Sequence, residues 1–164
     1  MNLFNFLLLV SDVGDIKVMV ILVALSFLVS YFLNYKKNAF IILLSSILAI
    51  LVSTFLKHTL KIPRPEHMLI VEDGYRFPSG HATMAAVVFA LSVYFGVKHL
   101  VSSKKTNTKI FGVSIIILGL AWLLITSYAR LYLGVHYLID VVSGSVIGIL
   151  STAFIVKILN KNRR

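Results

Sequence analysis

The sequence contains no cysteine, which excludes disulfide bonds and metal sites built on thiolates. Charged residues are scarce as well, at 13% of the chain, and only six of them are acidic. A soluble globular protein has about twice that share of charge. The chain is instead rich in apolar residues, at 59%, with a mean hydropathy of +0.94. This composition indicates an integral membrane protein.

Five apolar runs have about the length needed to cross a bilayer. They cover residues 16–33, 38–55, 79–97, 110–128 and 135–158. The shorter run 1–10 is followed by Ser11, Asp12, Gly14 and Asp15, which predicts a helix in the membrane interface, with a short or re-entrant span as the alternative. The fold class predicted is an all-α polytopic transmembrane helical bundle of about five spans, in one domain of 164 residues.

The net charge of +10 comes from basic residues placed mostly between the apolar runs, which argues against a nucleic-acid partner. Ten of them fall on one predicted side: Lys36, Lys37, Lys98, Lys104, Lys105, Lys109, Lys157, Lys161, Arg163 and Arg164. Six fall on the other: Lys17, Lys57, Lys61, Arg64, Arg76 and Arg130. The positive-inside rule then predicts a cytoplasmic C-terminus and an outer N-terminus. The first residues lack a basic leader and a small-residue cleavage site, so no cleaved signal peptide is expected.

The stretch Pro78-Ser79-Gly80-His81 separates two apolar runs and favours the start of a helix. Ser79 can cap that helix, and Gly80 allows a ligand to approach the backbone closely. The free N–H groups of a first helical turn, together with the helix dipole, form an anion site. We therefore expect an anion beside His81 at the membrane surface.

Two further polar clusters are predicted on the same outer face, one with Lys57 and Arg64 and one with Arg130, His136 and Asp140. The guanidinium groups suit phosphate oxygens. His136 and Asp140 are four residues apart, so on a helix they would share a face, and the carboxylate would fix the imidazole tautomer. Taken alone, the same two residues are equally consistent with a structural pair between helices.

The three clusters follow one another with definite spacing: Lys57, six residues, Arg64-Pro65; then Pro78-Ser79-Gly80-His81; then Arg130, five residues, His136, three residues, Asp140. This pattern resembles the three-part signature of the type 2 phosphatidic acid phosphatase superfamily, membrane lipid phosphatases related to vanadium haloperoxidases. The match extends over about half of the chain. One position departs from it, because the family usually has serine immediately before the arginine and this chain has Ala129.

The resemblance implies that His136 is a nucleophile forming a phosphohistidine, that Asp140 orients it, and that His81 is the general acid for the leaving lipid oxygen. It implies that the phosphate is bound by Lys57, Arg64, Ser79, Gly80 and Arg130, without a metal or other cofactor. The expected substrate is a phosphorylated membrane lipid: undecaprenyl diphosphate, phosphatidylglycerophosphate, phosphatidic acid or a lipid A phosphate. Recycling of a carrier-lipid diphosphate at the outer face of a prokaryotic cytoplasmic membrane is the first expectation among these. The sequence makes no prediction of oligomeric state.

Two other functions are consistent with parts of the pattern. A metal hydrolase would use His81, His136 and Asp140 as ligands, but the neighbouring basic residues would then crowd a cation. A small transporter or channel would use the basic cluster as an anion filter, although the charges gather on one face rather than through the bilayer. Lys61 and Arg76 are equally consistent with attracting an anionic headgroup and with a solvated loop, and we assign no role to His58, His67 or His99.

Overall fold

A computed structural model of the protein describes residues 2–102 and 104–161. In these residues the chain forms six α-helices and no strands. The helices are α1 (Leu3–Val13), α2 (Ile16–Phe32), α3 (Lys36–Leu60), α4 (Gly80–Ser102), α5 (Thr106–Tyr132) and α6 (Leu138–Lys161). The predicted helical membrane bundle is confirmed.

Helices α3 to α6 have 23 to 27 residues and are each long and apolar enough to cross a membrane. Helices α1 and α2 meet at a bend of 53° and provide a fifth span if the bent pair is counted as one. Four to five spans agree with the predicted number. Helix α1 packs through Leu7 and Val10 against Ala129 of α5, so one of its faces is covered by protein. Its position in the membrane interface stays a prediction.

Local sequence explains where the helices begin and end. The Asp15 side chain accepts a hydrogen bond from the backbone N–H of Lys17 at 2.8 Å and caps α2. Lys61 has the left-handed conformation that ends α3, and Pro63 and Pro65 prevent the helix from continuing. Gly134 separates α5 from α6 with a φ of +71°, a conformation that glycine adopts without strain.

Helix α4 is at the centre of the bundle and packs closely against α6. A Cβ atom at Gly144 would lie 2.5 Å from the Ser79 carbonyl oxygen, and one at Gly148 would lie 2.3 Å from the Thr83 carbonyl oxygen. Only glycine allows this approach, which is the small-residue packing that the spacing of the two glycines predicts. The contact fixes the start of α4 against the first half of α6.

We expect Gly148→Ala to destabilise the protein although alanine is the better helix former. The added methyl group would meet the backbone of α4, and overpacking of this kind costs about 1–3 kcal/mol. The thermal unfolding midpoint in detergent should fall by roughly 5 °C. Val146→Ala, at an exposed position of the same helix, is the control and should change the midpoint little. Equal midpoints for the two variants would contradict the close α4–α6 contact.

Charge is distributed unevenly between the two ends of the bundle. All six acidic residues lie at the end where α1 meets α2, α3 meets α4 and α5 meets α6: Asp12, Asp15, Glu66, Glu72, Asp73 and Asp140. The larger basic group predicted from the sequence belongs to the opposite end, with Arg163 and Arg164 outside the described residues. The acidic end also contains the predicted site.

Candidate active site

The three polar clusters of the sequence meet at one end of the bundle. The backbone N–H of Ser79 donates to the Asp140 carbonyl oxygen at 3.0 Å, which joins the start of α4 to the start of α6. The Arg64 guanidinium donates to the Val135 carbonyl oxygen at 3.2 Å, which joins the α3–α4 loop to the α5–α6 turn. Residues far apart in sequence thereby line one site.

The first turn of α4 has the features expected of an anion site. Ser79 is fully buried, and its hydroxyl accepts a long hydrogen bond of 3.4 Å from the Ala82 backbone N–H. A Cβ atom at Gly80 would have no neighbour within 4 Å, so open space adjoins the backbone there. A phosphate oxygen can therefore approach the N–H groups of this turn.

Three cationic side chains surround this space. Lys57, in the last turn of α3, donates to the Tyr75 carbonyl oxygen at 2.6 Å. Arg64 donates to the Asp73 carbonyl oxygen as well as to Val135, so backbone carbonyls of two loops hold its guanidinium. Arg130 is almost completely buried, with 1% of its surface exposed.

Glu72 joins the two arginines and is a site residue that the sequence analysis missed. One carboxylate oxygen accepts from Arg64 at 3.0 Å, and the other accepts from Arg130. A single carboxylate thus brings two guanidinium groups together that would otherwise repel each other. Nothing in the spacing of the sequence distinguishes Glu72 from the neighbouring loop acids.

His136 and Asp140 are adjacent in space, but the expectation that they share a face of one helix is wrong. Helix α6 begins at Leu138, three residues after the predicted start of the span, so His136 precedes the helix. The Asp140 carboxylate, in the first turn of α6, accepts from the backbone N–H of Tyr137 just before the helix at 2.8 Å, as the third helical residue does in a capping box. The Nδ1 atom of His136 lies 3.5 Å from the Asp140 carboxylate.

The imidazole of His136 is in an environment that keeps it neutral. Burial lowers the pKa of His136 well below its usual range, and the nearby charges of Arg130 and Arg64 lower it further. Its Nδ1 atom is buried and has no hydrogen-bond partner among the described residues. A proton on Nδ1, facing Asp140, leaves the lone pair on Nε2, which is the atom a nucleophilic imidazole uses.

His81 is in the first turn of α4, where its ring contacts the bend between α1 and α2. Its Nε2 atom lies 3.2 Å from the Ser11 carbonyl oxygen. A Cβ atom at Gly14 would lie 3.2 Å from Cδ2 of the same ring. The N-terminal helices therefore cover one side of His81.

Arg76 contacts the site, whereas the sequence was equally consistent with a solvated loop position. Its guanidinium pairs with the fully buried carboxylate of Asp140 and lies over the Tyr137 ring, 4.7 Å from the ring centroid. The partners are 64 residues apart in sequence, so no local spacing could indicate the pair. Arg76 thereby fixes the carboxylate that faces His136.

We expect Arg76→Gln to reduce phosphate release by about tenfold through the loss of this ion pair. Lys61→Asn is the matched control, because Lys61 is an exposed cation of the same loop and asparagine tolerates its left-handed backbone. Initial rates of phosphate release from a lipid phosphate measure both variants. Equal rates would show that Arg76 contributes only to the general charge of the loop.

The described residues contain no group of three or more histidine, aspartate or glutamate side chains that could hold a metal ion. The residues that are assembled are cations around a helix start, which suit an anion instead.

Comparison with known proteins agrees with this geometry. The family model described as the PAP2 superfamily matches residues 38–164. Phosphatidylglycerophosphatase B of Bacillus subtilis is 37% identical over 101 residues, which are 61% of this chain and 47% of that protein. The protein of the same name from Haemophilus influenzae is 34% identical over 90 residues, 55% of this chain and 35% of that protein. The matched stretches thus span half or less of these curated relatives.

Two solved structures have the same fold. The crystal structure of a transmembrane PAP2-type phosphatidylglycerolphosphate phosphatase from Bacillus subtilis aligns with a TM-score of 0.83 and 24% identity, over 99% of this chain and 79% of that one. The structure of Aquifex aeolicus LpxE aligns with a TM-score of 0.60 and 24% identity, over 94% and 86%. The fold, the three assembled clusters and the family match over most of the chain agree: this protein belongs to the type 2 phosphatidic acid phosphatase (PAP2) superfamily.

Proposed function

We propose that the protein hydrolyses the phosphate monoester, or the terminal phosphate of a diphosphate, of a membrane lipid through a phosphohistidine at His136. The observation that carries the proposal is a buried imidazole beside Asp140, whose pKa is lowered by burial and by the nearby charges of Arg130, Arg64 and Lys57. A neutral nucleophile and surrounding positive charge are what the transfer of a phosphoryl group requires.

In the first step, Nε2 of His136 attacks the phosphorus atom and the bond between phosphorus and the lipid oxygen breaks. His81 donates a proton to that oxygen, and the lipid leaves as an alcohol or as the lipid monophosphate. In the second step His81 accepts a proton from water, whose oxygen attacks the phosphorus. The bond between phosphorus and Nε2 of His136 breaks, inorganic phosphate leaves, and the imidazole of His136 is neutral again. Asp140 stabilises the positive charge that His136 acquires in the intermediate.

Lys57, Arg64 and Arg130, with the N–H groups after Ser79, would bind the phosphate oxygens through both steps. Charge develops on these oxygens in the transition state, and preorganised donors stabilise it without rearranging. This charge stabilisation is the task that a metal ion performs in many other phosphatases. We therefore propose a reaction that requires no metal.

The bundle also provides room for a lipid tail. A crevice of 370 Å³ lies between α2, α3 and α4, and its lining includes Met19, Val23, Met84, Leu91 and Phe95. Met84 is one turn from the start of α4, so the apolar crevice begins next to the site. A phosphate headgroup at the start of α4 can thus be bound while its hydrocarbon chain stays among apolar side chains.

Among the lipids considered, we propose phosphatidylglycerophosphate as the first substrate to test, because both curated relatives carry the name of its phosphatase. Undecaprenyl diphosphate is the second, because the basic residues favour a cytoplasmic membrane with the site on the outer face. Phosphatidic acid and a lipid A phosphate complete the panel.

The experiment measures phosphate release from each of the four lipids by the full chain in detergent. We expect release from at least one lipid, and we expect excess chelator to leave its rate within about twofold, since the proposed charge stabilisation comes from side chains. Loss of release on chelation would favour the metal-hydrolase alternative. No release from folded protein, together with anion flux in vesicles, would favour a transporter.

A further inference from the structure

The N-terminal helices lie outside residues 38–164, the part of the chain that matches the family, yet one of their residues contacts two side chains of the site. The hydroxyl of Ser11, in α1, accepts a hydrogen bond from Nη1 of Arg130. The carbonyl oxygen of the same residue lies 3.2 Å from Nε2 of His81. Ser11 is itself buried, with 4% of its surface exposed.

Ser11 reaches Arg130 because α1 packs on the neighbouring residue. Leu7 and Val10 contact Ala129, which is fully buried directly before Arg130. Ala129 is the one position where the chain departs from the family signature, which usually has a serine there. The packing of α1 on Ala129 thus places the Ser11 hydroxyl next to the adjacent arginine.

We propose that Ser11 is a positioning residue of the active site, which fixes the Arg130 guanidinium for phosphate. The inference rests on the proposed function, because it assigns Arg130 to phosphate binding. It also makes the bent α1–α2 pair a part of the site.

The hydrogen bonds of Arg130 explain how Ser11 acts. Its Nη1 is held by the Ser11 hydroxyl of α1 and its Nη2 by the Glu72 carboxylate of the α3–α4 loop. Its Nε is buried and has no hydrogen-bond partner among the described residues. Because Nη1 and Nη2 are both held, the plane of the guanidinium is fixed. Its remaining N–H donors are available to an anion. Without the Ser11 hydroxyl the Arg130 guanidinium can rotate. Because Arg130 is buried, water cannot replace the lost hydrogen bond.

The first test measures anion binding, which does not depend on turnover. Orthovanadate and inorganic phosphate are titrated into purified full-length protein, and the thermal unfolding midpoint is followed. We expect Ser11→Ala to weaken the binding of both anions by roughly tenfold. Ser145→Ala is the matched control, since that hydroxyl donates only to the Val141 carbonyl oxygen of its own helix, and it should bind the anions as the unchanged protein does.

The second test separates positioning from a general role in packing α1. Ser11→Thr keeps the hydroxyl, and Ala129→Ser, combined with Ser11→Ala, returns a hydroxyl from the α5 side. Recovery of anion affinity by either variant supports the proposal, as does a larger change in KM than in kcat for Ser11→Ala on an active lipid.

Two results would overturn the proposal: unchanged anion affinity in Ser11→Ala, or a loss that neither Ser11→Thr nor Ala129→Ser restores. Failure of the proposed function gives a different pattern, in which the unchanged protein binds the anions and releases no phosphate from any lipid.

Discussion

We expect His136→Ala to reduce phosphate release to background, a loss of at least about 10⁴-fold. The proposed reaction forms its covalent bond at Nε2 of this imidazole, an atom that alanine lacks. The imidazole of His81 contributes to lowering the pKa of His136 and is assigned a proton-transfer role. The loss should appear in kcat, because the cationic residues that bind the phosphate remain.

The measurement combines steady-state rates with direct detection of the intermediate. Substrate labelled in its phosphate is mixed with protein and quenched in alkali, in which a phosphohistidine survives. The unchanged protein and His99→Ala, whose ring contacts Phe111 far from the site, should both carry label, and His136→Ala should carry none. Label retained in His136→Ala would assign the nucleophile to another residue.

The second large effect is expected for Asp140→Asn, which should lower kcat by about 10³-fold with little change in KM. The Asp140 carboxylate faces His136, accepts from Tyr137 and pairs with Arg76. An amide has no charge to stabilise a protonated or phosphorylated imidazole, and its NH₂ group would oppose the Arg76 guanidinium. The side-chain oxygen of asparagine can still accept from the Tyr137 N–H, so α6 should keep its start.

Steady-state kinetics and the thermal unfolding midpoint together test this prediction. A double variant, Asp140→Asn with Arg76→Gln, should be only slightly slower than Asp140→Asn alone, because Arg76 acts through the carboxylate that is already lost. An increase in KM with unchanged kcat would instead assign Asp140 to substrate binding. A large fall in the midpoint would assign it to the folding of α6.

The sequence by itself was sufficient to predict the helical membrane architecture and the family. Apolar runs of membrane-spanning length predict helices whatever their partners are, because a backbone in lipid must satisfy its own hydrogen bonds. Ser79 and Gly134 mark breaks through local chemistry, a side-chain cap and a left-handed φ, and the structure has breaks at both. The spacing of the three motifs grouped Lys57, His81 and His136 before any contact was visible.

Only the tertiary structure revealed the residues that hold the clusters in place. Ser11 contacts Arg130 across 119 residues of sequence, and Glu72 contacts the same arginine across 58. Arg76 contacts Asp140 across 64 residues. Such contacts depend on which helix ends meet, and the periodicity of a single segment does not predict this. The start of α6 is a local feature that the apolar run placed too early, because Asp140 accepts from the Tyr137 N–H only three residues before it. Local chemistry therefore determined the helices and the reactive groups, whereas helix packing determined their orientation.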